Sequence, residues 1–215
     1  MSILKRLSFK DQTFKLREDA ILDATTRILS TKGFDLMTMD DVALEVGISK
    51  PSLYKHFKSK EKLAGEAMIR LLDGALEQLE GLPESLSAQE RLAELLAWAL
   101  HVRLNDGLPF LPATSAHVRE MLTRNLRYVA HVARLHFRIM GLVKQAKSDG
   151  DFRTELPNDV IAYSFYARTC DPAVDYLRLY SNLEEDDIIR HMLSVWFEGV
   201  SRKAPELTAD AAGRN

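Results

Sequence analysis

Apolar residues recur every three or four positions along most of this chain, which is the spacing of one face of an α-helix. Between residues 14 and 32 such a stripe predicts a first helix, and Gly33 predicts its C-terminal end. The more polar residues 1–13 are expected to form a loose arm. No segment shows the strict alternation of a half-buried strand, so the pattern predicts an all-α fold.

Two short segments with helix-start signals follow the first helix. Thr38, with Asp41 three residues later, is a capping-box pattern before a short apolar run, and Gly47 ends that run. Ser49 is a good N-cap for another short helix. Pro51 would lie in the first turn of that helix, where a missing N–H group costs little. The sequence therefore predicts a second and a third helix, both short.

The remaining predicted helices are longer. Ser59 predicts the N-terminus of a fourth helix that extends to about Leu79. Pro172 is expected to lie inside a later helix or to kink it. The predicted C-terminal helices span about residues 88–104, 115–147 as one uninterrupted helix, 157–180 and 184–203.

Composition narrows the class of protein. The chain has 215 residues, of which 46% are hydrophobic and 28% are charged, and this composition disfavours intrinsic disorder. Its single cysteine, Cys170, excludes an intramolecular disulfide and a Cys-rich zinc site. No apolar run approaches the roughly 18 residues of a membrane span, and residues 1–10 lack the apolar core of a signal peptide. We therefore expect a cytoplasmic protein with no membrane partner.

Charge is distributed unevenly along the chain. Residues 1–62 carry 12 Lys and Arg against 9 Asp and Glu, whereas residues 63–215 carry 17 against 22. Between Gly47 and Lys62 there are five lysines and one acid, Glu61. Such a basic segment on a nearly neutral protein indicates either a local anion-binding face or a solvated lysine face.

Residues 38–63 combine these features in one compact unit. Two short helices joined by a tight turn at Gly47, whose backbone freedom the turn requires, form a helix-turn-helix. The apolar residues of the first of these helices are expected to pack against Leu53 and Phe57 of the second. The other face of the second helix then remains exposed, and a helix of this kind fits the major groove of DNA.

The exposed residue types in this unit suit DNA binding, because hydroxyls and helix N-termini bind phosphates and lysines add positive charge. Two candidates have a structural alternative, since Tyr54 can pack partly into the core and His56 can cap or pack against a helix. The candidate DNA contacts are Thr38, Ser49, Lys50, Pro51, Ser52, Tyr54, Lys55, His56 and Lys60.

The segment GISKPSLYKHFKSKEKL and the helices before it resemble the DNA-binding domain of TetR-type (tetracycline-repressor-like) transcription regulators. The resemblance covers about residues 14–65, and the rest of the chain matches only in length and helical character. Pro51 departs from the pattern of some members, which carry a small residue there, so base specificity stays open. The matching positions are Thr38, Val42, Ala43, Val46, Gly47, Ile48, Ser49, Leu53, Tyr54, His56, Phe57, Lys60 and Leu63.

The resemblance implies a homodimer whose N-terminal DNA-binding domains, residues 1–62 of each chain, read a palindromic operator in double-stranded DNA. It implies that residues 63–215 form a second helical domain that dimerises and encloses a pocket for a small-molecule effector. Effector binding would change the separation of the two DNA-binding domains through the fourth helix and release a repressor. The alternative is a DNA-binding factor without a small-molecule ligand, either structural or controlled by a partner protein, and a filled C-terminal core would favour it.

Two sets of C-terminal residues are candidates for these roles. Polar or aromatic residues on otherwise apolar helices are candidates for contact with an effector, and the alternative is that they belong to the core or to the surface. They are Trp98, His101, Tyr128, His131, Tyr163, Tyr166 and Cys170. Apolar residues of the last two predicted helices are candidates for a four-helix bundle with a partner chain, and the alternative is packing within one chain. They are Ile161, Phe165, Val174, Leu177, Ile188, Met192, Val195 and Trp196.

The predicted helix at 115–147 is unusually basic. Between residues 117 and 147 there are seven Lys and Arg and one acid, Glu120. This excess would favour an anionic effector, such as a carboxylate, or it would form a solvated or salt-bridged helix face.

An enzyme is not expected. The chain lacks HExxH, GxSxG, P-loop and GxGxxG motifs. Cys170 could act as a nucleophile, but its predicted mid-helix position carries no sign of activation and is typical of an inert thiol. The histidines at positions 101, 117, 131 and 136 lack metal-ligand spacing, so no metal or cofactor is expected.

Overall fold

The computed structural model describes residues 8–105, 107–108 and 116–198, and within these ranges it contains ten helices and no strand. The predicted all-α fold is confirmed. In chain order the helices are α1 (Phe9–Leu36), α2 (Met39–Val46), α3 (Lys50–His56), α4 (Lys60–Gly81), α5 (Ala88–Leu104), α6 (Ala116–Thr123), α7 (Leu126–Ser148), α8 (Asn158–Thr169), α9 (Ala173–Tyr180) and α10 (Glu185–Phe197).

Helix α1 begins earlier than the apolar pattern predicts. The Ser8 side chain accepts a hydrogen bond from the Asp11 backbone N–H, and the Asp11 carboxylate accepts from the Ser8 backbone, which completes a capping box. The expected loose arm is therefore wrong from Ser8 onward, while residues 1–7 lie outside the described ranges. At the other end Gly33 adopts φ 73° and interrupts the helix, which resumes for one turn to Leu36.

The first four helices share a small apolar core. Leu53 and Phe57, predicted as core residues, are both buried in it. Helix α4 continues beyond this core and packs against α5 and α7, so one unbroken helix belongs to both packing units. The other buried members of the N-terminal core include Ile21, Ile28, Val42, Ala43 and Leu63.

A row of ion pairs joins α4 to α7. Glu66 contacts Arg127 at 2.6 Å, and Glu80 contacts Arg134 at 2.8 Å and Arg138 at 4.0 Å. Midway between them, Asp73 lies 3.1 Å from His131. The three acids are seven residues apart and thus share one helix face. Of the interpretations left open for the basic helix, the salt-bridged face is the one that the structure shows for these residues.

The predicted uninterrupted helix at 115–147 is wrong, because the described part of this segment contains two helices. Asn125 separates α6 from α7, and its side-chain oxygen accepts hydrogen bonds from the backbone N–H groups of Arg127 and Tyr128. The Asn125 side chain also lies against Gly65 of α4, where a Cβ atom would be 2.9 Å from the Asn125 Nδ2. Asn125 is thus the N-cap of α7 and also contacts another helix, and the second of these features depends on the tertiary structure.

The predicted helix at 157–180 is also divided in two. Cys170 is the C-cap of α8 rather than a mid-helix residue, and Pro172 precedes α9. The Asp171 carboxylate accepts a hydrogen bond from the Ala173 N–H at 2.9 Å and caps the new helix. The last helix is described to Phe197, and its predicted extension to about residue 203 lies outside the described ranges.

Within the described ranges, no helix combines the length and the apolar character that crossing a membrane requires.

Gly47 provides a test of the turn between α2 and α3. Its φ of 74° lies in the left-handed region, although open space surrounds the position of a Cβ atom. Gly47→Ala is therefore expected to lower the free energy of unfolding by about 1–2 kcal/mol through backbone strain alone. Urea denaturation measures this change.

Gly141→Ala is the matched control. Gly141 lies inside α7, is exposed, and also has open space at its Cβ position. The same substitution there should raise the free energy of unfolding by up to about 1 kcal/mol, because alanine favours helix. Equal effects at the two glycines would contradict the assigned role of Gly47.

Candidate nucleic-acid interface

Helix α2 is fixed at its start by the predicted capping box. The Asp41 carboxylate accepts hydrogen bonds from the Thr38 backbone N–H at 2.9 Å and from the Thr38 hydroxyl at 2.7 Å. Lys32 of α1 adds an ion pair at 3.0 Å. The bonds from Thr38 and Lys32 lower the pKa of Asp41 to about 2, so the carboxylate stays ionised at neutral pH. Thr38, a candidate DNA contact, thus has a structural role and remains exposed.

The turn and the start of α3 follow from local chemistry. The N–H groups of Gly47 and Ile48 bond to the carbonyls of Leu44 and Ala43, which closes the end of α2. The Ser49 hydroxyl then accepts a hydrogen bond from the Ser52 N–H at 3.3 Å. These caps set the angle between α2 and α3.

Helix α3 has a buried face and an exposed face. Leu53 is fully buried and Phe57 nearly so, which holds the helix against α1, α2 and α4. Tyr54 is 38% exposed, so most of its ring is covered while part of it remains on the surface. Further candidates on the exposed side are Ser49, Lys50, Pro51 and Lys55, and Ser52 is half-buried.

The lysines around α3 are not equivalent. Lys50 pairs with Asp40 of α2 at 2.7 Å, and this contact raises the pKa of Lys50. Lys58 donates to the backbone carbonyl of Tyr54. Lys55 is exposed and forms no hydrogen bond or ion pair with the described residues. Of these three lysines, Lys55 therefore has the charge most available to an anion outside the protein.

Lys60, also a candidate DNA contact, is directed into the protein. Its ammonium donates to the carbonyls of Phe34 at 2.9 Å and Met37 at 3.0 Å, with Asp35 at 3.4 Å, and lies 4.3 Å from the centre of the Phe34 ring. An ammonium group has three N–H donors, and three carbonyls already accept from this one. The structure thus gives Lys60 a capping role at the end of α1 and leaves no donor for a phosphate.

His56 faces α1 rather than solvent. Its ring stacks on Phe14 with the centroids 4.0 Å apart, and its Nδ1 is buried without a hydrogen-bond partner among the described atoms. Burial lowers the pKa of His56, so the ring is neutral at physiological pH. The packing role, which the sequence left open, is the one that the structure shows.

The candidate effector residues do not converge on one cavity. His101 and Tyr163 are exposed, and Trp98 packs against Gly74 of α4. His131 bonds the Arg127 carbonyl with one ring nitrogen and faces Asp73 with the other. These positions contradict a shared effector site formed by the whole set.

The two tyrosines of the α7–α8 contact are core residues. Tyr128 and Tyr166 are buried, and burial raises the pKa of each phenol. The Tyr166 hydroxyl lies 3.2 Å from Nδ1 of His136. Both side chains therefore have packing partners within the chain. Of the effector candidates, Cys170 lies at a cavity that also borders α1.

Most of the candidate dimer contacts also require correction. Five of them are buried within the chain's own core and offer no surface to a partner: Ile161, Phe165, Val174, Ile188 and Met192. Trp196 is half-buried, and it packs edge-on against Phe165 at 5.6 Å and Phe152 at 6.0 Å. Leu177 is half-buried, whereas Val195 is exposed. Most of the predicted apolar stripe therefore packs in the core of its own chain, which was the alternative to a dimer contact.

Apart from Val195, the exposed apolar residues of this region are not the predicted ones. They occur on α8, α9, α10 and the preceding turn: Val160, Tyr163, Tyr176, Leu179, Tyr180, Leu183 and Val195. Tyr176 and Tyr180 stack on one another with the centroids 6.3 Å apart. Periodicity alone could not show which apolar stripe faces inward.

A cavity of about 620 Å³, which was not predicted from the sequence, lies between the end of α1 and the helices α4, α5 and α6. Apolar side chains from four segments line it, including Leu29, Met68, Leu108 and Met121. Arg103 lines it as well, and the position of this arginine in the mainly apolar segment LLAWALHVRL is the signal in the sequence that could have indicated it.

Comparison with known proteins gives a consistent result. The profile described as "Bacterial regulatory proteins, tetR family" matches residues 21–67, the segment from α1 into α4. The HTH-type transcriptional repressor KstR2 of Rhodococcus jostii is 22% identical over 187 residues, which cover 86% of this chain and 91% of that protein.

Two solved structures share the fold at lower identity. The ketosteroid transcriptional regulator KstR2 of Mycobacterium tuberculosis has a TM-score of 0.62 at 18% identity, and the match covers 87% of this chain and 96% of that one. The transcriptional regulator FadR from Bacillus subtilis, in complex with stearoyl-CoA, has a TM-score of 0.60 at 13% identity, covering 85% and 99%.

The different roles of two lysines can be separated by their effect on stability. Lys60→Met keeps an aliphatic stem but leaves the carbonyls at the end of α1 without their charged donor, so the free energy of unfolding should fall by about 1.5–3 kcal/mol. Lys55→Met at an exposed site should change it by less than about 0.5 kcal/mol. Thermal or urea unfolding measures both, and equal small effects would refute the capping role of Lys60.

Proposed function

We propose, from the premise that this chain belongs to the tetR family of bacterial regulatory proteins, that it is a dimeric repressor released from its operator by a small molecule. As a member of that family it is a DNA-binding transcriptional regulator. The observation that carries the proposal is the exposed face of α3, held outward by a buried Leu53 and Phe57 and bearing the available charge of Lys55. We place the protein in the cytoplasm, where bacterial DNA is.

In this proposal α3 lies in the major groove. Its exposed N-terminal residues, Ser49, Pro51 and Ser52, approach base edges or phosphates, while Tyr54 and Lys55 reach the DNA backbone. Lys50 contacts the DNA backbone when a phosphate replaces Asp40 as its ion-pair partner. Lys60 and His56 act indirectly by fixing α1 against α3 and α4. The N-terminal domain ends near residue 62, inside α4, so any movement of α4 moves the DNA-binding domain.

The partner chain is proposed to cover the exposed apolar residues of α8, α9 and α10. An exposed tyrosine pair next to leucine and valine is unusual for a surface that stays in water, and large apolar patches mark interfaces. Two copies joined by a twofold axis would present two α3 helices to the half-sites of a palindrome.

Small-molecule control is favoured over control by a protein partner alone, because a cavity of about 620 Å³ lies between the end of α1 and the helices α4, α5 and α6. The Bacillus subtilis FadR structure, which has a similar fold, is a complex with stearoyl-CoA, and this supports small-molecule binding by the fold. The name of the Rhodococcus jostii relative, a transcriptional repressor, supports repression as the direction of control.

Lys55→Ala tests the DNA-binding face. The operator is first selected from random duplexes with the full-length protein. A lysine that contacts one phosphate contributes about 0.9 to the slope of log affinity against log salt, so a dimer that lacks both copies should lose roughly two from that slope. Lys144→Ala on α7, an exposed lysine outside the DNA-binding domain, is the control and should leave the slope unchanged. An unchanged slope in Lys55→Ala would refute the contact.

Dimerisation is tested by charge at the exposed apolar residues. Val160 on α8 is 55% exposed and Leu179 on α9 is 71% exposed in the single chain. Val160→Asp and Leu179→Asp should each weaken the dimer about a hundredfold or more, because an unpaired carboxylate would be buried in the interface. Analytical ultracentrifugation measures the dimer dissociation constant. Leu126→Asp, at an exposed leucine on α7, is the control. A dimer that is indifferent to both interface changes would place the interface elsewhere.

A further inference from the structure

The first three turns of α1 precede the segment that matches the family. The tetR-family profile begins at Ile21, whereas α1 begins at Phe9. Ser8 and Asp11 form the capping box that starts this part of the helix, which we call the α1 extension, residues 9–20. None of its residues is buried. Burial in the apolar core therefore does not explain why α1 begins so early.

One aromatic contact joins the α1 extension to α3. The ring of Phe14 stacks on the ring of His56, the last residue of α3, with the centroids 4.0 Å apart and the planes at 24°. Phe14 is 48% exposed, whereas Phe9 in the same extension is 85% exposed. The extension thus packs beside the C-terminal end of α3.

Two positive charges lie next to this contact. Successive residues of a helix are about 100° apart, so Lys10 and Arg17 both lie about 40–60° from Phe14, on the same side of it. Both are exposed and form no hydrogen bond or ion pair with the described residues. Besides burial, the charge of Arg17 lowers the pKa of His56, so this guanidinium lies near the end of α3. We call Lys10 and Arg17 the basic edge of the extension.

The acids nearest to Phe14 lie on its other side. Asp11 and Glu18 are about 40–60° from Phe14 in the opposite direction, and Asp11 is already bonded to the helix cap. Lys15 lies on that second side as well, at about 100° from Phe14 and thus about 150° from the basic edge. The basic edge is therefore a separate strip of positive charge along one side of the contact with α3.

The dimensions of DNA place such a helix at the phosphate backbone. The major groove is about 12 Å wide, and a helix with its side chains is about 10–12 Å across, so α3 fills the groove. Helices in contact have axes about 8–10 Å apart, so a helix beside α3 lies at the edge of the groove, where the phosphates are. Lys55, which we propose to contact the DNA backbone, is the chain neighbour of His56.

We propose that the α1 extension is a second DNA-contacting element, whose basic edge binds phosphates beside the groove that α3 occupies. Phe14 is a positioning residue that holds this edge in place through His56. Lys10 and Arg17 are about 10 Å apart along the helix axis, so each reaches its own phosphate. Such contacts add affinity and fix orientation without reading bases. The inference rests on the proposed function, since it requires α3 to lie in the major groove.

Salt dependence tests the basic edge. Lys10→Gln and Arg17→Gln are each made in the full-length protein and measured on the operator selected for the wild type. Each should lower the slope of log affinity against log salt by roughly two in a dimer, because one phosphate contact is lost per chain. Lys15→Gln removes the same charge from the far side of the same helix and is the matched control, with an unchanged slope.

Two results would overturn the charge assignment. One is an unchanged slope in both Lys10→Gln and Arg17→Gln. The other is an equal loss in Lys15→Gln, since it would show that only the net charge of the protein matters. All three positions are exposed, so the substitutions should leave the free energy of unfolding within about 0.5 kcal/mol of the wild type.

The positioning role is tested by removing the ring of Phe14. Phe14→Ala detaches the extension from α3 and should lower the salt slope by up to roughly four, the combined effect of losing both residues of the basic edge in two chains. Phe14→Tyr keeps the stacked ring and should retain the slope of the wild type. Phe9→Ala, at the exposed phenylalanine of the same extension, is the control. A full slope in Phe14→Ala would refute the positioning role, because a loss of stability alone does not change the number of phosphate contacts.

The same measurements separate this inference from the proposed function. If Lys55→Ala lowers the slope while Lys10→Gln and Arg17→Gln do not, α3 binds DNA and the α1 extension does not. If the wild type prefers no duplex, the proposed function is refuted and this inference with it. Ethylation of operator phosphates locates the contacts: phosphates whose ethylation blocks the wild type but not Lys10→Gln are those bound by the basic edge, and their absence would contradict the proposal.

Discussion

The end of α1 is held against the start of α4 by one charged group, the ammonium of Lys60. It donates to backbone carbonyls at the end of α1, where helix termini leave acceptors without partners, and it belongs to the first turn of α4. The ring of Phe34 covers the same ammonium. This contact joins the end of α1 to the beginning of α4, and these two helices pack with α2 and α3 in one apolar core. In the sequence Lys60 resembles a DNA-binding lysine, but in the structure it connects the ends of two helices of its own chain.

Helix α4 extends from the N-terminal core into the rest of the chain. Its apolar face is buried against α1, α5 and α7, while Glu66, Asp73 and Glu80 pair with the basic face of α7. Exposed ion pairs contribute little each, so the apolar contacts of α4 supply most of the stability of this packing. Ala64 and Met68 of α4 line the cavity, and the first turns of the same helix pack in the core that holds α3.

Several site residues were predicted from local chemistry alone, and these predictions agree with the structure where local chemistry decides. The capping box of Thr38 and Asp41, the turn at Gly47 and the cap at Ser49 need only residues within a few positions of one another. The apolar positions Leu53 and Phe57 are buried as expected. The direction of the His56 and Lys60 side chains was not predictable, since their partners in α1 are far away in sequence.

The sequence by itself determined the helical fold, the caps and turn of the helix-turn-helix, and the resemblance of this segment to the tetR family, because each is encoded by short-range spacing. Only the tertiary structure decided that Asn125 lies against Gly65 between α6 and α7, that the apolar stripes with Phe165 and Ile188 face inward, and that a cavity is present beside α1 and α4. The physical reason is the same in each case. A helical stripe records that one face is apolar, whereas which neighbour covers that face, and how completely, depends on contacts between segments distant in the chain.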